Sequence, residues 1–312
     1  MPATAVRRVH WPSRAPHAPV RPDDTAACLA RFATDALIEE ARLTPKPALV
    51  DRRGSGAHRD LNLALMERSA RSLEPTFAAL ARASTGMQPS ALLRTQLAAI
   101  GRDGESVMME ATHGSNAHRG AIWIVGLLVA GTTICDFGSP MRPQFDAART
   151  ICATAAQIAC FPDHGAPLVD SNGTRVRARY GVGGARREAQ EGFPHVVRIG
   201  LPALRAARDR GVGENAARID ALLAIMTSLD DTCLLHRAGP PALCAAKAGA
   251  HEVLTLGGSA TARGRAALER LEARLLSLNA SPGGAADLLA ATLFMDKLAQ
   301  QGAGRRTASW SI

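Results

Sequence analysis

Apolar residues recur at helical spacing along most of the chain. Leu61, Leu65, Ala70, Leu73, Phe77 and Leu80 lie three to five positions apart, which keeps one face of a helix turned toward a core. A first helix is predicted from the candidate caps Asp23, Asp24 and Thr25 to about Leu43, where Thr44-Pro45-Lys46-Pro47 stops it. Another should run from Pro89 to about Ile100, break over 101–104 and resume over 105–111. Residues 117–133 are apolar around most of the circumference, so that helix should be central and buried. Residues 146–160 form an alanine-rich helix. The segment 164–184 mixes Gly, Pro and Asn with alternating short residues and reads as a loop or a brief hairpin. Helical texture returns over 185–190, 203–210, 214–229, 242–248, 262–278 and 285–300. No strand–helix alternation and no internal repeat is visible. The pattern predicts an all-α fold: one domain over 22–301, of roughly ten helices, with its chemistry on loops and helix starts. Residues 1–21 read as a disordered arm and 302–312 as a disordered tail.

Composition supports helix and narrows the class. Alanine and leucine dominate while aromatics make up only 4%, so the core must be aliphatic. A hydrophobic fraction of 46% excludes an intrinsically disordered chain. The six cysteines show no CxxC pair and no metal-ligand spacing, which fits a reducing compartment. Residues 1–22 lack the apolar core of a signal peptide, and the longest apolar run, 121–134, is too short to span a bilayer. A soluble cytoplasmic protein with no membrane role is expected. The net charge of +9 favours polyanions. The basic residues are dispersed and few aromatics accompany them, which argues against nucleic acid as a partner. A nucleotide polyphosphate and a solvated arginine-rich surface are the remaining readings.

Five clusters carry the candidate chemistry. The first is Val50-Asp51-Arg52-Arg53-Gly54-Ser55-Gly56-Ala57-His58-Arg59-Asp60, which packs two carboxylates, an imidazole and three guanidiniums into one loop. A connecting loop needs none of these, whereas a site that holds an anion or a cation and moves a proton does. The second, Thr112-His113-Gly114-Ser115-Asn116-Ala117-His118-Arg119-Gly120, precedes the central helix, whose unpaired N–H groups make a natural phosphate seat. The third is Tyr180-Gly181-Val182-Gly183-Gly184-Ala185-Arg186-Arg187-Glu188, without the strand that a dinucleotide fingerprint requires. The fourth is Asp230-Asp231-Thr232-Cys233-Leu234-Leu235-His236-Arg237, where the paired acids suit either a helix cap or magnesium. The fifth is Ser281-Pro282-Gly283-Gly284-Ala285-Ala286-Asp287, another glycine-bearing helix start. Each has a plain structural alternative as a cap, a turn or a surface charge. Their joint occurrence points to an enzyme.

Taken in order, VDRRGSGAHRDLNLALMERSA, THGSNAHRG, YGVGGARREAQEGFP, DDTCLLHR and SPGGAADLLA resemble the triphosphoribosyl-dephospho-CoA synthase family, over about residues 48–300. The Arg68-Ser69-Ala70 stretch resembles the malonate decarboxylase branch more than the citrate lyase branch. The resemblance implies a predominantly helical enzyme that transfers the triphosphoribosyl group of ATP to the 2′-hydroxyl of 3′-dephospho-CoA and releases adenine. The product would pass to a holo-acyl-carrier-protein transferase. It implies His58, Glu188 and Asp60 as catalytic residues, with His58 and Glu188 the candidates for general base. Asn116, His118, Arg119, Gly120, Tyr180, Gly181, Arg186, Arg237, Ser281, Gly283 and Gly284 would bind substrate or phosphate. Asp51, Asp60 and Asp231 would hold Mg²⁺. The chain departs from the family pattern at Ala117, Arg119, Cys233, Ala238 and Ala285, where threonine, lysine, asparagine, glycine and serine are usual. Two other readings remain: a helical Mg²⁺-dependent nucleotide hydrolase, and a non-catalytic basic protein that binds RNA or an acidic partner.

Overall fold

Helix α5 (Arg119–Ile134) is the axle of the fold, with every residue from Ala121 to Thr132 except Trp123 buried. A segment apolar on all sides lowers its free energy only when surrounded, and other helices enclose this one. The computed structural model describes residues 22–135, 144–166 and 172–307. The other elements are α1 (Pro22–Arg42), α2 (Leu63–Ser72), α3 (Glu74–Ser84), α4 (Ala91–Ala111), α6 (Gln144–Cys160), α7 (Asn172–Tyr180) and α8 (Gly184–Gln190). After a π-helical turn, His195–Gly200, come α9 (Leu201–Asp209), α10 (Glu214–Ser228), α11 (Thr232–Thr255), α12 (Ala262–Ser277) and α13 (Gly283–Thr307). Helices α3, α6 and α13 pack on α5, while α1 and α10 close over α13. One contiguous core, aliphatic apart from Phe77, Phe193 and Phe294, runs through these contacts. Among the described residues there are only helices and a single isolated bridge, Asp51 to Gly54. The all-α expectation holds.

The differences from the sequence reading have local causes. Among the described residues thirteen α-helices stand where roughly ten were expected. The run from Leu61 to Leu80 divides at Leu73, because Pro75 in the first turn of α3 has no N–H to continue a ladder. The segment 164–184, expected as a loop or hairpin, contains α7. Helix α13 continues to Thr307, past the expected end near 300. The expected arm 1–21 and the last five residues, 308–312, lie outside the described residues. Among the described residues no helix is long and apolar enough to cross a membrane.

Helix α4 does not break at its glycines. It runs unbroken through Gly101 and Gly104, and a Cβ on Gly104 would lie 2.5 Å from Thr76 Cγ2 on α3. Gly104 is therefore a close-approach residue, which a periodicity argument cannot separate from a helix stop. Helix α13 is further held by ion pairs: Arg208 bridges Glu214 and Asp296, and Lys297 and Arg218 share Glu39. Part of the basic excess is thus structural.

Gly104→Ala is expected to lower stability by about 1–3 kcal/mol through overpacking against Thr76. Gly101→Ala, whose Cβ would meet Ile122 at an ordinary 3.7 Å, should raise it by up to about 1 kcal/mol. Urea unfolding of both variants checks this, and a stabilising Gly104→Ala would contradict the close approach.

Candidate active site

A cavity of about 890 Å³ opens among the loop before α2, α4, the start of α5, α7, α8 and the starts of α11 and α13. It lies in the upper part of the range that small-molecule sites occupy. Its walls bring together His58, Asp60, Asn116, His118, Arg119, Gly120, Arg186, Glu188, Asp231, Arg237, Ser281, Gly283 and Gly284. Asp51, Tyr180 and Gly181 are not among the lining residues.

His58 is set at one end of the cavity by a loop folded tightly on itself. Asp51 holds that loop: its carboxylate accepts from the Lys46 and Arg53 backbone N–H groups at 2.9 and 2.7 Å and from the Arg53 guanidinium at 2.8 Å. Both oxygens of Asp51 are thus spent on the loop, behind the cavity wall. Gly56, at φ 57°, lets the chain turn against the Ala48 and Leu49 carbonyls, where any Cβ would collide. Arg237 then reaches back from α11, donating to the Ala57 carbonyl at 2.9 Å and to His58 Nδ1 at 3.0 Å. Since a guanidinium only donates, Nδ1 must be the accepting nitrogen, and Nε2–H donates to Ser281 Oγ at 3.0 Å. Burial, reinforced by the Arg237 charge, lowers the His58 pKa to about 4. The ring is neutral near pH 7, and its one lone pair is already engaged.

Two carboxylates join three helix N-termini at the cavity floor. Asp231 caps α11 through the N–H groups of Cys233 and Leu234, at 2.8 and 3.4 Å. It also accepts from Gly284 and Ala285 in the first turn of α13, at 3.3 and 2.9 Å. Burial raises its pKa while these four donors oppose the rise. Asp287 on α13 lies against the Gly120–Ala121 start of α5, whose Ala121 N–H favours the charged carboxylate. A Cβ at Gly120 would collide with that carboxylate. Burial first, then the charges of Glu40 and Asp231, hold Asp287 well above the ordinary carboxylate range. The helix-start amides expected to seat phosphate are therefore largely committed, with Gly283 N–H bonded to the Ser281 carbonyl and Arg119 N–H to Asn116 Oδ1. Gly283 and Gly284 instead let α13 approach Cys233 and Asp231 closely.

The remaining expected residues take varied positions. His118 is buried; its Nδ1 meets Ser69 Oγ at 2.7 Å, its Nε2 has no partner, and burial lowers its pKa to about 3. The Arg119 side chain is ion-paired with Glu105. Glu188, only 6% exposed, receives the backbone N–H and Nδ1 of His195 at 2.8 and 2.7 Å. Among the described residues no three His, Cys, Asp or Glu side chains converge as a metal-ligand set. With Asp51 and Asp231 occupied by N–H donors, Asp60 alone of the three expected ligands presents an exposed carboxylate to the cavity.

Sequence reasoning missed several wall residues. Lys46 and Glu40 form a buried ion pair at 2.5 Å, and both line the cavity. Arg94 lies over the Trp123 ring at 4.6 Å, and Arg177 and Asp163 complete that side. His195 braces Glu188 from behind. Asp287 stood inside a recognised motif and was legible there. Arg94, Trp123 and Lys46 sit in ordinary helical or loop text, with no local signal to mark them.

Residues 26–306 match the family model described as ATP:dephospho-CoA triphosphoribosyl transferase. A probable 2-(5″-triphosphoribosyl)-3′-dephosphocoenzyme-A synthase of Pseudomonas aeruginosa (strain UCBPP-PA14) is 56% identical over 276 residues, covering 88% of this chain and 92% of that protein. The 2-(5″-triphosphoribosyl)-3′-dephosphocoenzyme-A synthase of Klebsiella pneumoniae is 54% identical over 281 residues, covering 90% and 98%. A probable synthase of the same name from Azotobacter vinelandii is 54% identical over 271 residues, covering 86% and 90%. No solved structure matches. With five separated motifs opening on one cavity and near-complete coverage by these relatives, the chain belongs to the triphosphoribosyl-dephospho-CoA synthase family of transferases.

Proposed function

We propose that this chain joins ATP to 3′-dephospho-CoA, making 2′-(5″-triphosphoribosyl)-3′-dephospho-CoA and free adenine. The observation that carries the reading is the convergence of distant motifs on one nucleotide-sized cavity, with His58 and Ser281 in direct contact although 223 residues apart. In the reaction the ATP C1′–N9 bond breaks and a bond forms from C1′ to the 2′-oxygen of dephospho-CoA. The hydroxyl proton passes to a base, and the departing adenine takes up a proton. An oxocarbenium-like centre at C1′ is stabilised by the carboxylates of the walls.

Glu188 is the base that the geometry favours. Its carboxylate is buried, faces the cavity and is held in one orientation by His195, with lone pairs to spare. His58 fits a binding role better, because Arg237 already takes its lone pair. Mg²⁺ fits these walls in the form in which substrate phosphates supply most of the ligands and Asp60 adds a carboxylate; bound there, it would neutralise phosphate charge. The Arg68-Ser69-Ala70 stretch supports a place in malonate decarboxylase maturation, where the product would be loaded onto the carrier protein by a holo-acyl-carrier-protein transferase.

Incubation with ATP and Mg²⁺, followed by chromatography, should release adenine only when dephospho-CoA is present. Release without it would indicate a nucleotide hydrolase instead. Glu188→Gln should lower kcat by about 10²-fold or more while leaving KM within a few-fold, and unchanged turnover would remove Glu188 as base. For His58 the folded pKa of about 4 lies below the unfolded value of about 6.5. Between those values the unfolded chain takes up a proton that the folded chain declines, so this contribution to stability falls as pH drops from 6.5 toward 4. His58→Asn should therefore lose less melting temperature than the parent across that window, and an equal loss would contradict a neutral, buried imidazole.

A further inference from the structure

On the basic wall of the cavity Arg94 and Arg177 have no role yet, and Arg186 has one only through the family resemblance. Arg94 projects from α4 onto the indole of Trp123, with the guanidinium 4.6 Å from the ring centroid. Trp123 Nε1 donates to the Ala185 carbonyl at 3.1 Å, which fixes the ring and pins the first turn of α8 against α5. Arg186, one residue on, lines the same cavity and adds its positive charge to the surroundings of Arg94. Arg177 of α7 lies against Gly184, also on the wall. Neither Arg177 nor Arg186 has an acidic partner among the described residues. Among the described residues the acid paired with Arg94 is Asp163, which is held by Arg102 at 2.8 Å while standing 4.0 Å from Arg94.

Arg94 is thus a largely buried cation, with its side chain 12% exposed, its paired carboxylate Asp163 at a long 4.0 Å and, among the described residues, no acceptor for its Nε. Leaving a buried charge weakly matched is costly unless something else supplies counter-charge. Stacking on Trp123 offsets a fraction of that cost, since cation–π contacts contribute only about 1–2 kcal/mol. The fork of a guanidinium suits phosphate oxygens, and two more guanidiniums border the same space.

We propose that Arg94, Arg186 and Arg177, braced by Trp123, form a subsite for the phosphate chain of a nucleotide. This subsite is separate from the His58–Arg237–Ser281 end of the cavity. The inference rests on the two-nucleotide reading above and adds where one polyphosphate lies. Either substrate, the triphosphate of ATP or the diphosphate of dephospho-CoA, has the required chemistry.

The test uses the full chain carrying Trp11→Phe and Trp310→Phe, which leaves Trp123 as the sole tryptophan. Its fluorescence is titrated with inorganic tripolyphosphate, pyrophosphate, ATP and dephospho-CoA, and ligand affinities are confirmed by calorimetry. Arg186→Gln and Arg94→Gln are each expected to weaken at least one inorganic polyphosphate tenfold or more, with Arg94→Lys retaining part of the affinity. Loss confined to tripolyphosphate and ATP places ATP there, and loss confined to pyrophosphate and dephospho-CoA places the other substrate there. Affinities for all four ligands within twofold of the parent in Arg186→Gln would overturn the subsite, and that solvent-facing variant is not expected to disturb folding. Product formation by the parent is followed separately. Tight polyphosphate binding through these arginines without any triphosphoribosyl product would keep the subsite and reject the transferase reading.

Discussion

Two buried carboxylates, Asp231 and Asp287, hold this molecule's working parts in register. Asp231 alone satisfies N–H groups from the first turns of both α11 and α13, and Asp287 reaches from α13 to α5. Helix N-termini carry orphan donors and partial positive charge, so three of them meeting at one point demand negative or polar acceptors. The two aspartates meet that demand, and in doing so they aim Ser281, Arg237 and His118 at a common space. The cavity exists because helices that would otherwise diverge are tied at their starts.

The same joint accounts for Cys233, which stands where an asparagine is usual in the resembling motif. Asp231 uses the backbone N–H of residue 233 and not its side chain, so the cap survives the change. The thiol packs beside Gly283, and burial keeps it protonated. It contributes packing and little polarity.

Much of this was legible from the chain. The apolar circumference of 117–133 announced a central helix, because an element without a polar face has only one stable place. The five clusters pointed to a site through their joint occurrence, although several of their aspartates and glycines also serve caps, turns and close approaches. Roles were less legible than membership. In text Asp51 and Asp231 suit metal ligands, and only the structure reveals the N–H donors that each also meets. Gly104 looks like a stop and is a contact with Thr76, since sequence gives spacing but not what approaches from another helix. Arg94 and Trp123 lie 29 positions apart on different helices, so nothing local links them. His195 was passed over for the same reason, although it follows Glu188 by only seven residues.

The central claim is that one cavity holds both nucleotides with the dephospho-CoA 2′-hydroxyl beside Glu188. The most direct measurement is a crystal structure of the Glu188→Gln chain soaked with ATP and 3′-dephospho-CoA. The account predicts electron density for both ligands within the cavity, the 2′-oxygen about 3 Å from the residue 188 side chain and in line with C1′ of ATP. Dephospho-CoA bound on another face, or with its 2′-hydroxyl turned away from that side chain, would contradict it.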